Sequence, residues 1–116
     1  MKLYGIKNCD TVKKARAWLA EHRVEVTFHD FKSEGVTTDL LDRWVKAVGW
    51  ETLVNRKGTT WRGLPDEVKD SVTNAASAKQ LMVENPSVIK RPVLELEDKV
   101  NVGFSPEKYS ELFGYR

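Results

Sequence analysis

Cys9 is the only cysteine in this 116-residue chain, and its setting suits chemistry better than packing. It follows a short apolar run, Leu3 to Ile6, and a polar break at Lys7-Asn8. Beyond it, Val12, Ala15, Trp18 and Leu19 recur at helical spacing. A cysteine at such a strand-to-helix turn lies beside N–H groups that have no intrahelical acceptor, and the helix macrodipole there favours negative charge. Thiolate is the nucleophilic form of the side chain, so this position activates the sulfur. Lys7, Lys13, Arg16 and any arginine folded over the site add positive potential. A lone cysteine is commonly a small buried hydrophobe, but Cys9 is not embedded in an apolar run. With no second cysteine there is no internal disulfide and no dithiol mechanism within one chain. Val12 stands where a Cys-x-x-Cys motif carries its second thiol. An oxidised Cys9 therefore needs an external thiol, and glutathione is the obvious candidate.

Two other places invite chemistry. Arg91-Pro92 precedes a strand, where proline serves as a first residue or forms a cis bond at a tight turn; the sequence leaves both open. Arg91 is either a surface residue or a planar cation aimed at an anionic ligand. Arg56 and Lys57 lie in an irregular loop, the kind of segment in which binding residues collect. His22 and His29 have no carboxylate or cysteine spacing around them, so no metal site is expected. The tryptophans at 18, 44, 50 and 61 lack the interleaved basic residues of a base-stacking surface, and core packing is expected, with Trp61 the weakest case.

The elements that position these residues follow from periodicity. Leu3 to Ile6 predicts a strand. A helix follows from near Asp10 to near His22, capped by Asp10 or Thr11. Val24 to Phe31 alternates as a second strand, so the unit is βαβ with parallel strands and a right-handed crossover. Lys32 to Val36 reads as a polar loop. Thr37 or Thr38 caps a helix with Leu40, Leu41, Trp44, Val45 and Val48 on one face, stopped by Gly49. Trp50 to Gly63 reads as loop with one helical turn. Pro65 opens a short helix containing Val68. Asn74 caps another, with Ala75, Ala78, Leu81 and Met82 inward, ended by Pro86. Val93 to Leu96 and Val100 to Val102 predict a hairpin joined by Glu97-Asp98-Lys99. Ser105 caps a last helix with Pro106 in its first turn and Tyr109, Leu112 and Phe113 on its apolar side. The order β-α-β, helices, β-β-α predicts an α/β fold with a thioredoxin-like mixed four-stranded sheet. A helical insertion over about 37–85 separates its halves, and the expected organisation is one domain over 1–116.

Composition bounds the function. Hydrophobic residues make up 41% and charged residues 31%, which suits a globule with a core rather than a disordered chain. Nineteen basic and 17 acidic residues nearly balance, so charge does not imply a nucleic-acid or membrane partner. No run of about 18 apolar residues is present, and Met1 to Ile6 does not read as a secretory signal. A reducing, cytoplasmic setting is expected.

The segment from Tyr4 to Leu19, with Asn8-Cys9-Asp10-Thr11-Val12 at its centre, resembles the start of the arsenate reductase (ArsC) family, specifically its YffB-like branch. The likeness continues through Phe28-His29-Asp30-Phe31, Asn85 to Leu94 and Gly103 to Glu107, and so covers nearly the whole chain in order. The resemblance implies a thioredoxin-like fold with a helical insertion and a catalytic cysteine at Cys9. It matches Arg91, in the Ile-x-Arg-Pro element, and Arg56 to arginines that bind an oxyanion around the cysteine, and it implies a cis Pro92 facing the sulfur. The chain departs from the glutathione-using arsenate reductases in two places. Gly103-Phe104-Ser105 stands where they carry a further arginine, and Gly5-Ile6 where they place a histidine. The departures shift the expectation from arsenate towards the carboxylates of glutathione or another small anion. Lys14 to Leu19 is also similar to Spx-type regulators, which bind RNA polymerase and often carry Cys-x-x-Cys; Val12 breaks that switch. The expected site comprises Cys9 as nucleophile, with Asn8, Asp10, Thr11, Arg56, Arg91 and Pro92 binding glutathione or substrate. The expected activity is glutathione-dependent thiol reduction by a monomer, with glutathione as co-substrate, no metal or nucleotide, and no nucleic-acid or membrane partner. The rival readings are a non-enzymatic regulator bound to RNA polymerase and an arsenate reductase.

Overall fold

The computed structural model of the protein describes residues 1–114. They form two compact units, one of Met1–Asp30 with the segment from Arg91 onward, the other of Phe31–Lys90.

The first unit holds the sheet. Its strands are β1 (Lys2–Gly5), β2 (Thr27–Asp30), β3 (Val93–Glu95) and β4 (Val100–Val102), in the order β2-β1-β3-β4. β1 pairs parallel to β2, from Lys2–Thr27 to Gly5–Asp30, and antiparallel to β3; β3 pairs antiparallel to β4. This is the mixed four-stranded sheet that the element order predicts. Two helices join it, α1 (Asp10–Glu21) and, in chain order the last, α8 (Pro106–Phe113). Leu3 and Leu94 form one core with Ala15, Trp18 and Leu19 of α1 and Tyr109 of α8. Each large apolar side chain buried there contributes about 1.5–3 kcal/mol.

Several boundaries differ from expectation. β2 begins at Thr27 rather than Val24, because β1 is only four residues long and offers it no earlier partner; Thr27 N–H donates to the Met1 carbonyl (3.1 Å). Residues 22–24 instead finish α1, with Arg23 at positive φ and Val24 N–H bonded to the Leu19 carbonyl (2.9 Å). β1 stops at Gly5 because the Ile6 carbonyl turns to accept from Cys9 N–H (3.1 Å). β3 stops at Glu95, since Leu96 N–H closes the hairpin on the Lys99 carbonyl (2.8 Å). Ser105 caps α8 as expected, accepting from Lys108 N–H (3.1 Å).

The second unit is helical: α2 (Phe31–Glu34), α3 (Thr38–Val48), α4 (Trp50–Leu53), α5 (Thr59–Arg62), α6 (Asp66–Ser71), α7 (Ala75–Glu84) and a 3₁₀ turn at Pro86–Val88. It contains the 37–85 stretch. Phe31 does not continue β2; it starts α2, buried at the head of what reads in sequence as a polar loop. The segment 50–63 forms two helical turns rather than one, and Pro65 sits just before α6 rather than inside it. Thr37 caps α3 and Asn74 caps α7, the latter in a reciprocal pair with Ser77. Trp44, Leu41, Leu53, Leu81 and Met82 are buried. Trp50 and Trp61 are only half-buried, so the expectation of core packing holds for Trp18 and Trp44 and fails for these two.

Candidate active site

Strand direction brings the chemistry together. β1 runs parallel to β2 and antiparallel to β3, which is antiparallel to β4. The C-terminal ends of β1, β2 and β4 therefore lie at the same end of the sheet as the start of β3. At that end are the loop carrying Cys9, Asp30, Arg91-Pro92 and Gly103. Asp30 Oδ2 accepts from Lys7 N–H (3.2 Å), tying the cysteine loop to β2. The Arg91-Pro92 bond is cis, and the Pro92 carbonyl accepts from Gly103 N–H (2.8 Å).

Cys9 is itself the N-cap of α1. Its backbone is extended and its carbonyl accepts the first helical bond, from Lys13 N–H (2.9 Å). Asp10 and Thr11, expected as caps, fall inside the helix and are exposed. The reason is the loop: Cys9 N–H is already bound to Ile6, so the helix starts one residue earlier than the polar side chains suggest. The Cys9 side chain makes no cap hydrogen bond, but the N–H groups two and three residues on, which an N-cap side chain faces, belong here to Thr11 and Val12.

That geometry sets the thiol's acidity. Partial burial of Cys9 by itself pushes its pKa up. Opposing this are the Val12 N–H, a hydrogen bond from Arg91, the Arg91 charge and the Thr11 N–H, and together they hold the thiol below its ordinary value of 9.0. Arg91 is thus beside the sulfur, where its planar fork can also meet an anion. Val12 was not expected in the site; its side chain is fully buried and its backbone does the work. The signal in the sequence is the cap register, which fixes residues 11 and 12 once Cys9 is the cap.

Gly5 keeps the helix close. A Cβ placed there would lie 2.7 Å from Val12 Cγ2, so the first turn of α1 packs against β1 at a distance only glycine permits. Lys7, Asn8 and Lys13 are exposed near the sulfur in sequence. Arg16 is not a charge for this site: its guanidinium lies 4.3 Å from the Phe28 ring centroid, beside β2. A groove of this unit, lined by Met1, Arg16, Leu19 and residues 24–28, does not include Cys9. Arg56 belongs to the second unit, in the turn after α4. Among the described residues no cluster of His, Cys, Asp or Glu is suited to a metal ion, and no helix is long and apolar enough to cross a membrane.

A thioredoxin-like sheet with a cysteine at the N-cap of its first helix and a cis-proline just before its third strand defines the class. More narrowly, the ArsC family model matches residues 4–112, and the chain belongs to the ArsC family. A Haemophilus influenzae protein described as uncharacterized is 42% identical over 111 residues, 96% of each chain. The global transcriptional regulator Spx 2 of Bacillus anthracis is 25% identical over 91% of this chain and 81% of its own. Among solved structures, the YFFB protein is 50% identical with a TM-score of 0.89, covering 94% of this chain and 95% of that one. An arsenate reductase (ArsC) related protein from Brucella melitensis is 54% identical with a TM-score of 0.76, covering 97% and 95%.

Proposed function

We propose that this ArsC-family protein is a glutathione-dependent thiol reductase of the bacterial cytoplasm, acting as a monomer through Cys9. The observation that supports it most is the place of Cys9, at the N-cap of α1 and on the end of the sheet that also carries the cis Arg91-Pro92 bond. Preorganised donors aimed at a sulfur stabilise the thiolate both as attacking and as leaving group. Cys9 thiolate attacks the glutathione sulfur of a mixed disulfide, forming a Cys9–glutathione disulfide and releasing the substrate thiolate. A second glutathione thiolate then attacks the glutathione sulfur of that adduct, regenerating Cys9 thiolate and leaving oxidised glutathione. Each step exchanges one S–S bond for another: one free glutathione thiol is oxidised per turnover, and it leaves as oxidised glutathione joined to the glutathionyl group that the substrate carried in. Arg91 holds an anionic group of the tripeptide beside the sulfur. Asn8, Asp10, Thr11 and Pro92 line the approach, and Arg56, by the family likeness, contributes a further cation.

Mass spectrometry after exposure to oxidised glutathione tests this. A single adduct of one glutathione on Cys9, removed by reduced glutathione, is the expected result; an unmodified thiol overturns the reading. A regulatory reading draws on the Spx relatives, and stoichiometric capture of RNA polymerase by Cys9→Ser protein would favour it. Arsenate reduction is the third. Gly103, at the sheet end where the further arginine is missing, speaks against it. Glutathione-coupled turnover of arsenate, lost in Arg91→Ala, would restore it.

A further inference from the structure

Arg56 is exposed, and among the described residues its contacts are two aromatic rings rather than a carboxylate. Its guanidinium carbon lies 5.4 Å from the Trp50 ring centroid and 5.8 Å from that of Trp61. Both indoles are half-buried, one at the start of α4 and the other within α5. The turn between them is fixed. Asn55 N–H donates to the Val88 carbonyl (2.8 Å), Lys90 N–H to the Leu53 carbonyl (2.7 Å), and the Asn55 side chain accepts from Lys57 N–H (3.2 Å). Gly58 closes the turn on the Asn55 carbonyl (3.2 Å). Lys57 and Arg62, both exposed, add positive charge to this loop.

Two indoles near one guanidinium restrict a side chain that otherwise has much rotamer freedom to lose. Both centroids lie within the range of about 6 Å for a cation–π contact, and such contacts leave the N–H donors of the guanidinium for a ligand. We propose that Trp50 and Trp61 are positioning residues that hold Arg56 edge-outward as a docking point for a small anion, a carboxylate or an oxyanion. The proposal rests on the reading of Arg56 as an anion-binding residue and names what orients it. Lysine cannot replace it: an ammonium lacks the planar fork.

The test is calorimetric titration of the full chain with S-methylglutathione, which carries carboxylates but no thiol, and separately with sodium sulfate at constant ionic strength. Binding to wild type that weakens about two- to five-fold for each of Trp50→Leu and Trp61→Leu is expected. Most of it returns in Trp50→Phe and Trp61→Phe, and Arg56→Lys loses it. Preference for S-methylglutathione over sulfate assigns the subsite to a carboxylate; the reverse assigns it to an oxyanion. The phenylalanine and lysine variants decide the matter if the leucine variants do not fold. No saturable binding of either anion, or folded leucine variants that bind as wild type does, overturns the proposal. Cys9 takes no part in this titration, so absence of a Cys9–glutathione adduct would sink the reductase reading while leaving this result standing.

Discussion

Replacing Arg91 with methionine keeps much of the side chain's bulk and removes its charge and its hydrogen bond to Cys9. A neighbouring opposite charge favours the charged form, so its loss should move the Cys9 thiol upward, with the Val12 and Thr11 N–H groups left to oppose burial. The rate follows from two opposed effects. At a pH below both values, the thiolate fraction falls. A more basic thiolate is more nucleophilic, however, with a Brønsted coefficient of about 0.4–0.5, so for each tenfold fall in thiolate fraction roughly threefold is returned. Alkylation by iodoacetamide, a neutral reagent, should therefore slow at low pH, by about threefold per tenfold loss of thiolate. Above both pKa values the thiol is fully ionised in either protein, and the variant should be the faster. The assay is the second-order alkylation rate from pH 5 to 10, and the signature is a pair of curves that cross. Curves with the same midpoint, or a variant slower at every pH by a constant factor, would refute the assignment of Arg91 to the sulfur.

The remaining predictions concern the same turn and its supporting core. Cys9→Ser replaces the thiol with a non-titrating cap. A depressed folded pKa contributes stability that is complete above the unfolded value and is lost as pH falls through the folded one. Wild type should thus gain on Cys9→Ser as pH rises towards 9.0, measured by urea unfolding; a constant difference between pH 5 and 9 would count against it. Gly5→Ala forces Val12 and the first turn of α1 away from β1, costing about 1–3 kcal/mol and slowing Cys9 alkylation. Normal stability with normal alkylation would show that the turn is not held by that contact. The Tyr109 hydroxyl is buried with no partner among the described residues, and burial drives its pKa well above 10.0. Tyr109→Phe should be neutral or stabilising by about 1 kcal/mol, read from the thermal midpoint; a loss of more than that would mean the hydroxyl is satisfied in solution.

Much of this was legible in the chain, and the failures have a common cause. Helix faces were readable where apolar periodicity and a capping side chain agree, as at Thr37-Leu41-Trp44 and Asn74-Ala78-Leu81. Strand ends were not, because alternation in one segment does not know how long its partner is: Val24 and Val26 alternate well, yet β1 has nothing to pair with them. Caps were misread where a polar side chain competes with a loop already fixed by backbone bonds. Asp10 looks like a cap, but the Cys9–Ile6 bond starts the helix a residue earlier. The half-burial of Trp50 and Trp61 was also hidden, since composition reports that an indole is apolar but not that an arginine will lie against it.

That one-residue difference at the cap matters for the chemistry. Had Asp10 capped α1, its carboxylate would have faced the Val12 and Lys13 N–H groups, and the sulfur would have stood one residue out of register with the helix start. With Cys9 as cap, the helix start has a sulfur where an ordinary helix has a serine or aspartate oxygen, and the side chain makes no cap hydrogen bond. The protonated thiol is a weak acceptor, so in that state the helix start is poorly satisfied. Ionisation remedies this, because a thiolate is a charged acceptor for the same two N–H groups. Reactivity and helix capping are therefore met by one proton's departure. The buried Val12 side chain serves both: it packs α1 onto β1 at Gly5 and fixes where its own N–H meets the sulfur. A second cysteine at position 12 would have to give up that packing. The structure thus links the single-thiol character of the site to the close approach of helix and strand beneath it.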